Sequence, residues 1–280
     1  MMRLPRALAN PIVRRVWRVV RILIIAYLLV ILLMMFMENS LLFFPTKYPD
    51  GDWHPPGLQF EDAWFQAADG TKLHGWFVPH DRPRAVALFA HGNGGNLSHR
   101  SDLFRELHNM GVAVLAFDYR GYGRSEGSPN EAGVLSDARA ARSWLAQRAG
   151  AAESQIVLMG ESLGGAVAAI LAGEAPARGL VVESSFSNAP DVAAYHYPWL
   201  PVRLLMRTQL NAAEAIRQHH GPVLVVHGDA DTIVPIQFGR KLFEAANEPK
   251  RFVMIQGADH NDPRGPQFYQ ALDQFLNELQ

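Results

Sequence analysis

Three short segments carry side chains that could do chemistry together. The first, Gly160-Glu161-Ser162-Leu163-Gly164-Gly165, follows the apolar run 155–159 and opens a helical pattern. Glycines two residues to either side of a serine suit a sharp turn from strand to helix, with the hydroxyl at its tip, where bulkier neighbours would clash. A serine hydroxyl is a poor nucleophile until a histidine can take its proton, and that histidine needs a carboxylate to fix its tautomer. Two later segments supply both groups. After the apolar run 222–226 comes His227-Gly228-Asp229-Ala230-Asp231-Thr232-Ile233-Val234-Pro235. After 251–255 comes Gln256-Gly257-Ala258-Asp259-His260-Asn261-Asp262. The chemistry such a set could perform is nucleophilic attack on an acyl carbon. The helix opening at Leu163 would aim free N–H groups at the oxygen that becomes negative.

These segments need a scaffold, and the apolar runs supply one. Strands are expected at 60–66, 73–78, 85–90, 112–118, 155–159, 179–183, 222–227 and 251–255, and helices near 98–109, 130–148, 163–173, 236–246 and 266–278. The first two runs alternate apolar and polar residues, as at an antiparallel sheet edge. Later ones, such as Val112-Ala113-Val114-Leu115-Ala116-Phe117, are apolar throughout, as strands covered on both faces must be. The alternation of strand and helix predicts an α/β domain with a mostly parallel eight-stranded sheet flanked by helices. All three chemical segments then fall at carboxyl ends of strands, where open α/β sheets place their sites.

The strand at 85–90 ends in His91-Gly92-Asn93-Gly94-Gly95-Asn96. Its glycines allow close backbone approach to a ligand, and the absence of a G-K-[ST] after them argues against a nucleotide-phosphate loop. The stretch Asp118-Tyr119-Arg120-Gly121-Tyr122-Gly123-Arg124-Ser125-Glu126-Gly127 reads as a structural loop bordering the pocket. His227 reads as a packed structural residue, and His219 and His220 as solvated ones beside a Gly-Pro turn.

Composition excludes several classes. With no cysteine, disulfides, thiolate metal sites and cysteine nucleophiles are ruled out. The near-neutral net charge of −1 conceals an asymmetry: the first 37 residues hold six arginines and no acid. Removing those six from 26 basic residues leaves 20 against 27 acids, so residues 38–280 carry a net −7, unsuited to nucleic acid. From Ile22 to Met37 no residue is charged. With Val19, Val20 and a snorkelling Arg21 the run approaches the roughly 20 residues that cross a bilayer core. It lacks the A-x-A pattern of a cleaved signal peptide and the amphipathicity of a transit peptide. The expected organisation is a basic cytoplasmic segment at 1–18, a transmembrane anchor at 19–37, a juxtamembrane connector at 38–58 and a catalytic domain at 59–280. The arginines place the amino terminus in the cytoplasm and the domain on the periplasmic or luminal side.

HGNGGN, DYRGYGRSEG, GESLGG, HGDADTIVP and GADHND occur in the order and approximate spacing of the α/β-hydrolases, and the chain resembles their small, singly anchored members over residues 38–280. The resemblance implies the α/β-hydrolase fold and a Ser–acid–His order, with Ser162 as nucleophile, Asp231 rather than Asp229 as acid through the D-x-x-V-P pattern, and His260 as base. It also implies an oxyanion hole from the N–H groups of Leu163 and Asn93, with Gly94 as the alternative to Asn93. Asp259 departs from the glycine that similar proteins often carry before the histidine, and Asp262 is a minor candidate for supporting His260. The segment 185–218 corresponds to a lid, short and strongly apolar, which reads equally as an acyl-binding rim near a membrane and as ordinary core packing. The implied activity is hydrolysis of a carboxylic ester or thioester, with a small-molecule or lipid substrate and no metal or organic cofactor. Peptide or amide cleavage by the same triad, and a non-catalytic tethered scaffold, are the competing readings.

Overall fold

The structure, a computed structural model, describes residues 11–279, so the first ten residues of the basic segment lie outside the described residues. The described residues open with one long helix, α1 (Pro11–Phe36), then α2 (Glu38–Leu42) and the two-residue strand β1 (Phe44–Pro45). A hairpin of β2 (Glu61–Gln66) and β3 (Lys72–Val78) leads to β4 (Ala85–Ala90) and β5 (Gly94–Gly95). Then come α3 (Ser101–Asn109), β6 (Val112–Phe117), α4 (Glu131–Ala149), β7 (Ile156–Glu161), α5 (Leu163–Glu174) and β8 (Gly179–Glu183). Three short helices, α6 (Ala189–His196), α7 (Val202–Leu205) and α8 (Ala212–Ala215), precede β9 (Val223–Gly228), α9 (Ile236–Ala245), β10 (Lys250–Ile255) and α10 (Pro266–Glu278).

Eight strands form one sheet in the order β10-β9-β8-β7-β4-β6-β3-β2. The first two in sequence pair antiparallel at one edge, β3 also runs antiparallel to β6, and the rest are parallel. The expected alternation holds for β2, whereas β3 is buried on both faces from Leu73 to Val78 because it lies inside the edge, between β2 and β6. In the parallel strands the period-two pleat survives beneath a uniformly apolar sequence. Leu88, Ala113, Leu115, Ile156 and Leu158 face the core shared with α4, α5 and α9. Ala87, Phe89, Val112, Val114, Val157 and Met159 face the core shared with α3 and α10. The helices show why they pack this way: α10 buries Phe268, Ala271, Leu272, Phe275 and Leu276, the i, i+3, i+4, i+7, i+8 face of an amphipathic helix.

The sheet order fixes where a site can form. From β4 the chain crosses through α3 to β6 on one side, then returns through α4 to β7 on the other. The strand order therefore reverses at β4 and β7, and a crevice opens beyond their carboxyl ends. The loop after β4 and the turn after β7 face each other there. A Cβ built on Gly92 would lie 3.5 Å from the Cβ of Ser162.

Two features sit outside this frame. α1 has no buried residue over its 26 positions, and by length and composition it is a candidate membrane span. Behind it the connector is not loose: β1 pairs in parallel with β5, Phe44 opposite Gly94 and Pro45 opposite Gly95. The segment following the apolar helix is thus stitched to the loop beside Ser162.

Candidate active site

The turn after β7 carries Ser162 at φ 51° and ψ −118°, a strained conformation for a residue with a side chain. Two hydrogen bonds hold it: its N–H donates to Glu183 O at 2.8 Å, and its carbonyl accepts from Ser185 Oγ at 2.6 Å. The flanking glycines are sterically required. A Cβ on Gly160 would lie 2.1 Å from Gly164 O, and one on Gly164 would lie 2.0 Å from Ala90 O.

Ser162, Asp231 and His260 meet although 98 residues separate the first from the last. His260 Nε2 is 3.0 Å from Ser162 Oγ, and its Nδ1 is 2.8 Å from Asp231 Oδ2. Asp231 is buried, with Oδ1 accepting the N–H groups of Ile233 at 3.0 Å and Val234 at 2.7 Å. Burial alone would raise its pKa, but hydrogen bonds from His227 and His260 and from the Val234 N–H outweigh it and hold the carboxyl well below the ordinary range. Asp231 is therefore an anion at neutral pH. The neutral tautomer that fits it carries its proton on Nδ1 and leaves Nε2 as an acceptor facing the serine hydroxyl. His227 is fully buried and hydrogen-bonded, with Nε2 2.8 Å from Val234 O and 3.3 Å from Asp231 Oδ2, so it braces the same carboxylate.

The other acids have structural partners. Asp229 accepts the Gly257 N–H at 2.6 Å and so ties the two loops together. Asp259 accepts from Thr232 N and Oγ1 and from the His260 N–H, and Asp262 accepts the Asp259 N–H. Asp259 braces loops through those bonds; its own pKa is lowered, chiefly by the Thr232 N–H. His219 departs from its sequence reading. It is 2% exposed rather than solvated, and burial lowers its pKa.

Leu163 and Asn93 flank Ser162 on the turn and on the facing loop, and among the described residues neither N–H donates to a protein group. Asn93 is held by its side chain. Its Oδ1 accepts from the Phe44 N–H at 3.1 Å and Tyr122 Oη at 2.9 Å, and its Nδ2 donates to Leu42 O. The glycine-rich loop at 118–127 thus lies behind the Asn93 loop, and none of its residues lines the cleft. The cleft over Ser162, of about 800 Å³, is walled by Leu41, Leu42, Phe43 and Phe44 on one side, and by Phe186, Val192, Ala193, Tyr197 and Leu210 of the lid region on another.

Sequence reasoning missed an ion network beneath Ser162. Glu161 and Glu183 are register partners at the ends of β7 and β8. Arg264, four residues past His260, donates to both, and Arg100 pairs with Glu161 at 2.7 Å. Glu161 also accepts the Gly92 N–H at 3.0 Å. One carboxylate therefore connects the serine turn, the Asn93 loop and the histidine loop. Two acids ending adjacent apolar strands were the available signal, because buried carboxylates require cationic partners. Arg264→Met should leave Glu183 without a cationic partner and Glu161 with Arg100 alone, lowering stability by about 3–5 kcal/mol. The loosened loops should cost kcat roughly 10²-fold in an ester assay.

The two carboxylates divide their shared charge unequally. Burial pushes both up, but Arg100, Arg264 and the Gly92 N–H bring Glu161 down from 4.5 to about 2, while Glu183, with Arg264 alone, stays raised. Between about 4.5 and 2 the folded protein therefore binds fewer protons at Glu161 than the unfolded chain does. Stability from Glu161 is complete above 4.5 and lost as pH falls toward 2. In acid titrations followed by thermal melting, Glu161→Gln should show a shallower loss of Tm through this window than the parent.

This fold, with a serine turn, a histidine loop and an acid loop at the reversal of strand order, is that of an α/β-hydrolase. The family described as serine aminopeptidase, S33 matches residues 81–217. An uncharacterized protein of Mycobacterium tuberculosis is 39% identical over 254 residues, 89% of this chain and 90% of its own. The lysophosphatidylserine lipase ABHD12 of Danio rerio is 35% identical over 222 residues, 71% of this chain and 56% of that one. Among solved structures, the Pyrococcus furiosus esterase Pf2001 superposes with a TM-score of 0.68 at 22% identity, covering 84% of this chain and 98% of the esterase. The chain, 34% identical over 227 residues (73% of each chain) to an α/β hydrolase domain-containing protein of Arabidopsis thaliana, belongs to the α/β-hydrolase superfamily.

Proposed function

We propose that the protein is a membrane-anchored serine esterase that cleaves carboxylic esters or thioesters of lipid or acylated substrates through an acyl-enzyme. The observation that carries this reading is the Ser162–His260–Asp231 relay, 3.0 Å and 2.8 Å per link, on the floor of an apolar-walled cleft. Ser162 Oγ attacks the acyl carbon as His260 Nε2 takes its proton, and Asp231 holds Nδ1–H and stabilises the imidazolium. The Asn93 and Leu163 N–H groups receive the oxyanion. His260 returns the proton to the leaving oxygen or sulfur; water, deprotonated by the same imidazole, then releases the acid.

An apolar cleft suits an acyl chain, and the lipase named among the relatives acts on such a substrate. In this reading residues 19–37 form the anchor, 38–58 the connector and 59–280 the hydrolase domain, with a lid at about 185–218. Arg14, Arg15, Arg18 and Arg21 on the first half of α1 favour a cytoplasmic amino terminus, with the domain across the membrane. A matched panel of ester, thioester and amide substrates sharing one acyl chain tests the reading. Turnover of the oxygen or sulfur esters with little amide cleavage is expected. Preferential amide cleavage would favour the peptidase chemistry that the matched family description names, and no turnover by folded protein would reject the enzyme.

A further inference from the structure

The lid segment 195–208 carries Tyr195, Tyr197, Trp199 and Leu204 at 54%, 47%, 57% and 86% exposure. Single exposed apolar residues are ordinary, but four within ten positions make a patch that asks for a partner. The segment contains no acid, and its two arginines are engaged by Asp191 and Glu38. Aromatic residues with arginines and no carboxylate are the composition of a bilayer interface.

The neighbour of this patch identifies that partner. The lid is fastened to α1 at two levels. Near the domain, Arg207 donates to Met35 O at 2.9 Å, and Glu38 accepts the N–H groups of Arg207 and Thr208. Farther down, Tyr27 Oη donates to Trp199 O at 2.8 Å. Tyr27 precedes the end of α1 at Phe36 by nine residues, roughly 13 Å along the axis. The uncharged stretch from Ile22 to Met37 is only about 24 Å long, against a hydrocarbon core of about 30 Å, so none of its domain end can be spared for water. Whatever lies beside Tyr27 then lies beside lipid.

We propose that the lid, through Tyr195, Tyr197, Trp199 and Leu204, seats in the lipid leaflet on the domain side, so that the cleft opens to that leaflet and takes its ester from it. The inference rests on the reading of α1 as a membrane span. The rim fits this arrangement: the exposed apolar residues Leu41, Phe44 and Ile233 line the cleft together with Tyr197, and Ile233 O accepts from His196 of the lid. An acyl chain could pass from the leaflet to Ser162 without crossing water.

The cysteine-free chain makes the test direct. Full-length Leu204→Cys, carrying a nitroxide in phosphatidylcholine vesicles, is compared for collisions with oxygen and with a water-soluble nickel chelate. Leu29→Cys on α1 gives the lipid reference. Asp81→Cys, in the loop before β4 at the sheet end opposite the cleft, gives the water reference. The Leu204 label should match Leu29, and nickel accessibility equal to that at Asp81 would overturn the proposal. In a second arm, Trp199→Glu should slow hydrolysis of a long-chain monoacylglycerol in vesicles by at least about tenfold, the charge being costly in lipid. Its rate on soluble p-nitrophenyl acetate should be unchanged. Equal loss on both esters, or loss on neither, would contradict leaflet seating. A parent that hydrolyses neither ester would reject the catalytic reading, while the label comparison would still decide the lid.

Discussion

Replacing Ser162 by alanine is expected to lower kcat/KM for ester hydrolysis by roughly 10⁴–10⁶-fold, measured on a short p-nitrophenyl ester with circular dichroism confirming the fold. The size follows from what is removed. Without Oγ no acyl-enzyme forms, and His260 can only activate water that the cleft does not position for attack. The residual rate would come from the unengaged N–H groups of Leu163 and Asn93, which remain in place because the backbone bonds of residue 162, to Glu183 and Ser185, do not involve its side chain. Folding should be little affected, since the strain lies in the backbone and the neighbouring glycines accommodate it. A variant retaining more than about a tenth of the parent rate would mean that another group attacks the substrate.

Asp231→Asn is expected to cost roughly 10³–10⁴-fold in kcat, through a proton in the wrong place. The side-chain oxygen must stay on the Ile233 and Val234 N–H groups that Oδ1 now accepts. The new NH₂ then replaces Oδ2 and faces both His260 Nδ1, now 2.8 Å away, and His227 Nε2, now 3.3 Å away. His260 Nδ1 is forced to accept, its proton moves to Nε2, and the serine hydroxyl loses its base. His227 already donates to Val234 O, so it cannot relieve the conflict. The effect should fall on kcat far more than on KM, because the substituted group is sealed beneath the imidazole. Asp229→Asn, by contrast, disturbs one loop-to-loop hydrogen bond and should leave most of the rate intact.

The sheet was legible because burial on two faces leaves an unmistakable pattern. All eight apolar runs became its strands, within two residues at either end. The serine turn was equally legible, because its glycines answer a steric demand that a sequence displays directly. Other features depend on contacts that no local pattern records. β1 is two residues long and exists only because Gly94 and Gly95 lie beside it. His219, beside a Gly-Pro turn, looked solvated, yet tertiary packing buries it. The lid could be read as core or as surface from its apolar composition, and only the fold exposes Trp199 and Leu204. Arg264 carries no local signal in the sequence. Its meaning depends on Glu161 and Glu183 ending on neighbouring strands, 103 and 81 residues away.

The most direct test of the account is covalent. Full-length parent protein and its Ser162→Ala variant are treated with a fluorophosphonate, digested, and the adduct located by mass spectrometry. A single adduct is expected, on Ser162 of the parent, and none on the variant. An adduct at another serine, or no adduct on folded parent protein, would contradict an activated nucleophile at the turn between β7 and α5.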